Sequence, residues 1–246
     1  MRWCCVSLAA FLLAVLVGCA APRQTLAPPP DPLLSTRDTK PLEPIKPPRL
    51  LQRPKTTPVP RRMPTVKLIV DPGHGGRDPG AVGVGPMTEE HVNLAISKEL
   101  IGQLKARGGR VYTTRSTDHY VSLDARAAMA DRIRCDLFVS IHSDASPRAN
   151  VDGATIYIAR NARGASVRAA RNIEAAFKRA GIPCRGIRRA GFRVLVGHAQ
   201  PAVLVECGFL TNRAEAQRLS TPSYQRKIAR AIANGVADHF LATAAK

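Results

Sequence analysis

The sequence predicts an α/β fold: a single layered domain over residues 65–246, with a mixed, mostly parallel sheet covered by helices on both faces. Two observations carry that prediction. From Thr65 onward, short apolar runs of strand length alternate with segments of helical period, the order from which strand–helix–strand units are built. Several of those runs end in acidic or histidine residues, as strands do when their carboxyl ends open into a ligand crevice. The composition agrees: 246 residues, 45% apolar and 22% charged, suffice for one medium-sized core and exclude a uniformly disordered polymer.

Taken in order, Val66–Val70 reads as a buried strand running into the loop Asp71-Pro72-Gly73-His74-Gly75-Gly76. Thr88 is placed to cap a helix whose Val92, Ala95, Ile96, Leu100 and Leu104 share one face, and Gly108-Gly109 ends it. Arg110–Thr114 is a strand, Ser122–Arg134 a helix and Asp136–His142 a fully buried strand. A short strand near Thr155–Ile158, a helix near Ala165–Ala180, strands near Phe192–Val196 and Ala202–Glu206, and a helix near Ser223–Phe240 complete the order.

The first 64 residues differ in kind. Residues 1–19 carry Arg2 and then an apolar run, Val6–Val17, that fits an export signal and is too short to span a bilayer as a mature helix. The run ends Leu16-Val17-Gly18-Cys19, which resembles the lipobox of bacterial lipoproteins. That resemblance implies cleavage before Cys19, its lipidation, and a membrane anchor through the N-terminal lipid. An ordinary export signal ending in a cysteine is the other reading. Ala20 and Ala21, with no Asp after the cysteine, favour the outer membrane and a periplasm-facing domain if the source has two membranes. Residues 20–64 form a Pro-rich basic linker with 13 of the 20 prolines, nine Lys or Arg and three acids. Such a linker is semi-rigid, rises ~3.1 Å per residue, and over about forty residues reaches up to ~130 Å.

Chemistry concentrates at three strand ends. The first strand leads to Asp71 and His74, the Asp136 strand ends at His142, and the Ala202 strand ends at Glu206. If these strands are parallel neighbours, the three converge, and Glu89, in the first turn of the helix after strand one, faces the same crevice. Two histidines and a carboxylate from separate elements suit catalytic zinc, which usually takes three protein ligands and leaves a position for water. A further carboxylate, Glu206, ends an apolar strand where it is costly unless a cation lies near, and it can move a proton from water to a leaving amine. On residue types alone, loop histidines and a capping glutamate outweigh a metal site.

Five stretches resemble, in order, the zinc-dependent N-acetylmuramoyl-L-alanine amidases of bacterial cell walls: Val70–Gly76, Glu89–Ala95, Thr114–Asp118, Val139–Ala145 and Leu204–Asn212. The resemblance implies that His74, Glu89 and His142 bind Zn2+ and that Glu206 is the general base. It further implies hydrolysis of the amide between N-acetylmuramic acid and L-alanine in peptidoglycan, releasing stem peptides from muropeptides. Division-associated members of the family carry a helix between the second zinc histidine and the glutamate that plugs the site until an activator removes it. Here that interval is 64 positions and must already hold a strand, a helix and a strand, so a compact, open domain is expected; separately, a monomer is expected, and any activator is unidentified. A non-catalytic peptidoglycan-binding lipoprotein tether, or a zinc amidase or peptidase acting on another envelope peptide, are the competing functions.

Neighbouring residues take secondary readings. Asp71 either orients a ligand or organises the Pro72-Gly73 turn; His198 either lines the crevice or is structural; Arg115, Arg126 and Asn93 brace the fold. Cys135, Cys184 and Cys207 are an odd number, so one thiol at least stays free. The domain's net charge is +12, with Lys178, Arg179, Arg185, Arg188, Arg189 and Arg193 crowded together. Absence of a nucleic-acid motif and scarcity of aromatics argue against nucleic acid, and anionic envelope polymers fit better.

Overall fold

The structure, a computed structural model, describes residues 62–85 and 87–244. The export signal, Cys19 and all but the last three residues of the sequence-assigned linker lie outside the described residues. Met63, in that remainder, is buried against the core, and its amide donates to Arg107 O at 2.9 Å.

Six strands form one mixed sheet in the order β2-β1-β3-β6-β4-β5. Its centre is parallel: β1 (Lys67–Pro72) lies between β2 (Arg110–Thr113) and β3 (Leu137–Asp144), and β3 pairs with β6 (Ala202–Phe209). The single reversal follows, where β4 (Ala154–Ala159) runs antiparallel to β6 and carries the parallel edge strand β5 (Cys184–Ala190). β6 is buried along its whole length, as expected of a central strand covered on both faces.

One face is covered by α1 (Glu89–Ala106), α3 (Ala165–Arg179) and α6 (Pro222–Ala244), packed with Val70, Val139, Val205 and Ile156. Each fully buried side chain in that layer, such as Ile96 or Leu100, contributes about 1.5–3 kcal/mol. The other face carries less cover: α2 (Leu123–Ile133) and the single turn α4 (Arg193–Val196) pack over Ile69, Phe138 and Leu204. Ser122 caps α2, its Oγ accepting from the Ala125 amide at 3.2 Å. Among the described residues, no helix is long and apolar enough to cross a membrane.

Three local expectations are corrected. Phe192–Val196 is not a strand: Val194 and Leu195 are buried on consecutive positions of the α4 turn, and the strand lies earlier, in Cys184–Ala190. That segment has a single large aliphatic residue, Ile187, among three arginines, a pattern suited to an edge strand that must not recruit another sheet. Thr88 does take the N-cap position of α1, but its hydroxyl donates to Glu90 Oε1 at 2.7 Å and accepts no amide. A short helix, α5 (Arg213–Leu219), follows β6 and is capped by Asn212, whose Oδ1 accepts from the Glu215 amide.

A buried polar cluster pins the carboxyl end of β1. Asp71 is wholly buried; it pairs with Arg126 Nη1 at 2.7 Å and accepts from Thr114 Oγ1 at 2.6 Å and Ser140 Oγ at 2.7 Å. Arg126 also donates to the carbonyls of Pro72 and His74, and Arg115 to those of Pro72, Gly73 and Glu90. Arg126 thus braces the fold through a buried ion pair, whereas Arg115 braces the loop through carbonyl oxygens. Removing one partner of a buried pair strands the other charge. Arg126→Met is expected to cost about 3–5 kcal/mol, read as a lowered urea midpoint with unchanged slope.

Candidate metal centre

Parallel pairing of β1, β3 and β6 brings their carboxyl ends together. His142 lies directly opposite Glu206 in the β3–β6 register, and the loop after β1 carries His74 across from them. His74 is held at φ +60°, one of two non-glycine described residues in the left-handed region, inside a turn continued by Gly75 and Gly76. Two glycines are demanded by close approach. A Cβ on Gly73 would come within 2.4 Å of the His142 ring, and one on Gly80 within 2.7 Å of Glu89 Oε2 and the His74 ring.

Glu89, at the first position of α1, stands between the two imidazoles. Its Oε2 is 3.1 Å from His74 Nε2 and its Oε1 is 2.9 Å from His142 Nδ1; the two rings meet edge to face at 5.0 Å. Amides of Ala81 and Ser143 and the Asn93 side chain donate to the same carboxylate. Ser143 Oγ in turn donates to Asn93 Oδ1 and fixes that amide's orientation. Asn93 therefore supports Glu89 directly as well as bracing the fold. Despite burial, the donors to Glu89 from His142 and His74 hold its carboxyl far below the usual range, and Glu89 and Asp78 raise the pKa of His74 against desolvation.

Donor atoms of His74, Glu89 and His142 all lie within 4.8 Å of one another. Two imidazole nitrogens and a carboxylate oxygen from three rigid elements form a donor set that fits a divalent metal ion of the zinc type. Glu206 is buried beside it with Oε2 lacking any hydrogen-bond partner, the orphaned acceptor that a site awaiting water or substrate would contain. Burial, then the charges of Glu89 and Asp144, push the Glu206 carboxyl well above its ordinary pKa.

The structure brings together His74, Glu89, His142 and Glu206, and separates the rest. Asp71 orients no imidazole; its partners are Arg126, Thr114 and Ser140. The orienting carboxylate is Asp78, which accepts from His74 Nδ1 at 2.9 Å and from the Gly80 amide. Its only sequence signal is an i, i+4 spacing from His74 across a glycine-rich loop, where no helix justifies that spacing. His198 is structural: Nε2 donates to Val194 O, Nδ1 accepts from the Gln200 amide, and the ring packs on Phe138, with burial lowering its pKa. Glu90, His91 and Asp118 also gather within 4.8 Å, but the charges of Glu90 and Asp118 already act on the Arg115 guanidinium. Cys135, Cys184 and Cys207 are all free thiols; burial drives Cys207 well above the ordinary thiol range, which leaves it no nucleophile.

At its strand ends this mixed α/β sheet carries a His-Glu-His donor set that could hold a metal ion and a glutamate with an unpartnered oxygen, an arrangement suited to a hydrolase. Residues 68–238 match the N-acetylmuramoyl-L-alanine amidase family model, and the chain belongs to that family. Among its relatives, AmiC of Neisseria meningitidis, an N-acetylmuramoyl-L-alanine amidase, is 32% identical over 214 residues, covering 69% of this chain and 51% of that protein. The chain thus matches about half of that relative's length. Among solved structures, an N-acetylmuramoyl-L-alanine amidase from Clostridium difficile 630 aligns with TM-score 0.68 and 32% identity over 71% of this chain and 96% of that one. The CwlD amidase of Clostridioides difficile, solved in complex with the GerS lipoprotein, aligns with TM-score 0.69 and 29% identity over 72% and 100%.

A carboxylate that orients a metal-binding histidine typically supports affinity by 10–100-fold. Asp78→Ala is therefore expected to weaken binding of a divalent metal by roughly that factor, read by competition against a chelator, with the thermal midpoint in the presence of chelator little changed.

Proposed function

We propose that the chain is a zinc-dependent N-acetylmuramoyl-L-alanine amidase that hydrolyses the amide between the lactyl group of N-acetylmuramic acid and L-alanine in peptidoglycan. The observation that carries this reading is the buried, unpartnered carboxyl of Glu206 facing the same crevice as the His74, Glu89 and His142 donors in a chain of this family.

Zinc held by His74, Glu89 and His142 would supply Lewis acidity, polarising the scissile carbonyl and lowering the pKa of water at the site. The protein's part is positioning and proton transfer. Glu89 is clamped by Ala81, Ser143 and Asn93, so the donor set is preorganised. Glu206 accepts a proton from the attacking water as its oxygen bonds to the carbonyl carbon, and delivers that proton to the alanine nitrogen as the C–N bond breaks. A carboxyl whose pKa is raised by burial and by Glu89 and Asp144 is suited to hold the proton between those transfers.

The interval between β3 and β6 is filled by β4, α3, β5 and α4, and among the described residues it has no further helix to cover the crevice. The reading is of an open enzyme, taken as a monomer, in which any activator is unidentified and would act other than by displacing a plug helix. Cys19 as a lipid site and residues 20–64 as a tether would hold it at the cell envelope, facing the periplasm from the outer membrane where two membranes exist.

Mass analysis of peptidoglycan after incubation with the purified chain tests the reaction. Expected products are free stem peptides and peptide-free glycan, formed with zinc and abolished by chelation. Glu206→Gln should retain the metal and lose turnover by about 10²–10⁴-fold. Wall retention with metal bound and no cleavage would mark a tether instead. For the anchor, Cys19→Ala is expected to shift the chain from the membrane fraction to the soluble envelope fraction, read by fractionation.

A further inference from the structure

Away from the metal centre, the first half of α6 and the end of α3 enclose a surface pocket of about 260 Å³ lined by Ala180, Ser223, Arg226, Lys227, Arg230, Ala231 and Asn234. The α6 contributors recur at three- and four-residue spacing and so share one helix face. Three are cationic, and no acidic residue lines the pocket. The nearest acid further along that helix, Asp238, is engaged by Arg179 at 2.5 Å.

The groups in the pocket are almost entirely donors. Arg226 and Arg230 make no hydrogen bond or ion pair among the described residues, although like charges at i, i+4 repel and weaken a helix. Lys227 Nζ makes a long contact to Gly181 O at 3.4 Å. Asn234 is more specific. Its Oδ1 accepts from Arg107 Nη2 at 2.7 Å, so its amide NH2 is the end left free to donate. Arg107 is itself buried and is locked by Gln103 through the backbone carbonyl and Oε1. Burial and the nearby Arg230 both act against its charge. A buried arginine thus fixes an amide donor beside three unneutralised or weakly engaged cations.

We propose that this pocket is a binding site for a phosphate-bearing anion. Guanidinium forks match tetrahedral phosphate oxygens, and a group with several acceptor oxygens and more than one negative charge uses convergent cations better than a single carboxylate does. The Ser223 hydroxyl and the Asn234 amide add neutral donors, and the volume accommodates a phosphate or a compact phosphodiester headgroup. Two sources share that chemistry: a phospholipid headgroup, and phosphate that is free or carried by a soluble polymer. The site is independent of the amidase reading, since no residue of the catalytic cluster lines it.

Titration of the full chain with inorganic phosphate, followed by calorimetry or amide chemical shifts, tests the site. Saturable binding is expected, weakened by about tenfold or more, or roughly 1.4 kcal/mol, in the double variant Arg226→Ala with Arg230→Ala. A charge-matched control, Arg163→Ala with Arg171→Ala, removes two exposed arginines elsewhere and should leave binding within about twofold. Asn234→Asp, which keeps an acceptor for Arg107 but puts a negative charge in the pocket, should abolish binding while the thermal midpoint holds. No saturable phosphate binding, or equal losses in the two arginine doubles, would overturn the proposal. Once phosphate binding is established, vesicles of phosphatidylglycerol, with phosphatidylcholine as the neutral comparison, identify the source. Loss of vesicle binding confined to the pocket double identifies a lipid headgroup, and vesicle binding equal to that of the control double identifies soluble phosphate.

Discussion

The site depends on the parallel, in-register pairing of β1, β3 and β6. Side chains at paired positions of adjacent strands project from the same face, so the match of His142 to Glu206 places side by side the imidazole proposed to hold a metal and the carboxyl proposed to carry a proton. The match of Asp71 to Ser140 one turn of the pleat earlier locks β1 to β3 and fixes where its loop departs. A one-residue slip would turn His142 or Glu206 to the opposite face, into the layer packed against α1, α3 and α6. The antiparallel placement of β4 beyond β6 then lets one edge of the crevice be built by a strand that enters from the opposite direction, with Thr155 opposite Glu206.

Around that frame, buried charge is handled in two different ways. Asp71 is neutralised completely, by Arg126 and two hydroxyls, and its role is to hold the β1 end and the loop carbonyls in place. Glu206 is buried with one oxygen unmatched, and the surrounding acids Glu89 and Asp144 raise the energy of its charged form. The first arrangement makes rigidity; the second stores an unmet electrostatic demand that a cation and a substrate can answer. Their proximity is functional, since the rigid loop is what holds His74 in its left-handed backbone conformation while Asp78 orients its ring.

The chain's excess of positive charge is distributed unevenly as well. Arg185, Arg188 and Arg189 guard the β5 edge, where exposed cations discourage pairing with another sheet. Arg226, Lys227 and Arg230 instead line a concavity together with an amide oriented from below by Arg107. A solvated edge and a shaped donor pocket thus arise from the same residue types, and the difference lies in what is packed beneath them.

Much of this was legible in the residues alone. The apolar runs leading to His74, His142 and Glu206 and the helical period after Glu89 located the central strands and the crevice at their ends, because strand burial and helix amphipathicity are local patterns in sequence. The five ordered motifs added the family and its chemistry. What sequence could not decide was set by contacts between distant segments. β5 was hidden because an edge strand needs only one apolar anchor, Ile187, and Phe192–Val196 looked like a strand because its apolar residues are consecutive, while in fact they fill a turn under α2. Asp78 rather than Asp71 orients His74 because Arg126, arriving from α2, claims Asp71 first. Local patterning determined which residues are buried and which carry chemistry; the tertiary structure decided which of them meet, because partners for buried charge are chosen by three-dimensional proximity.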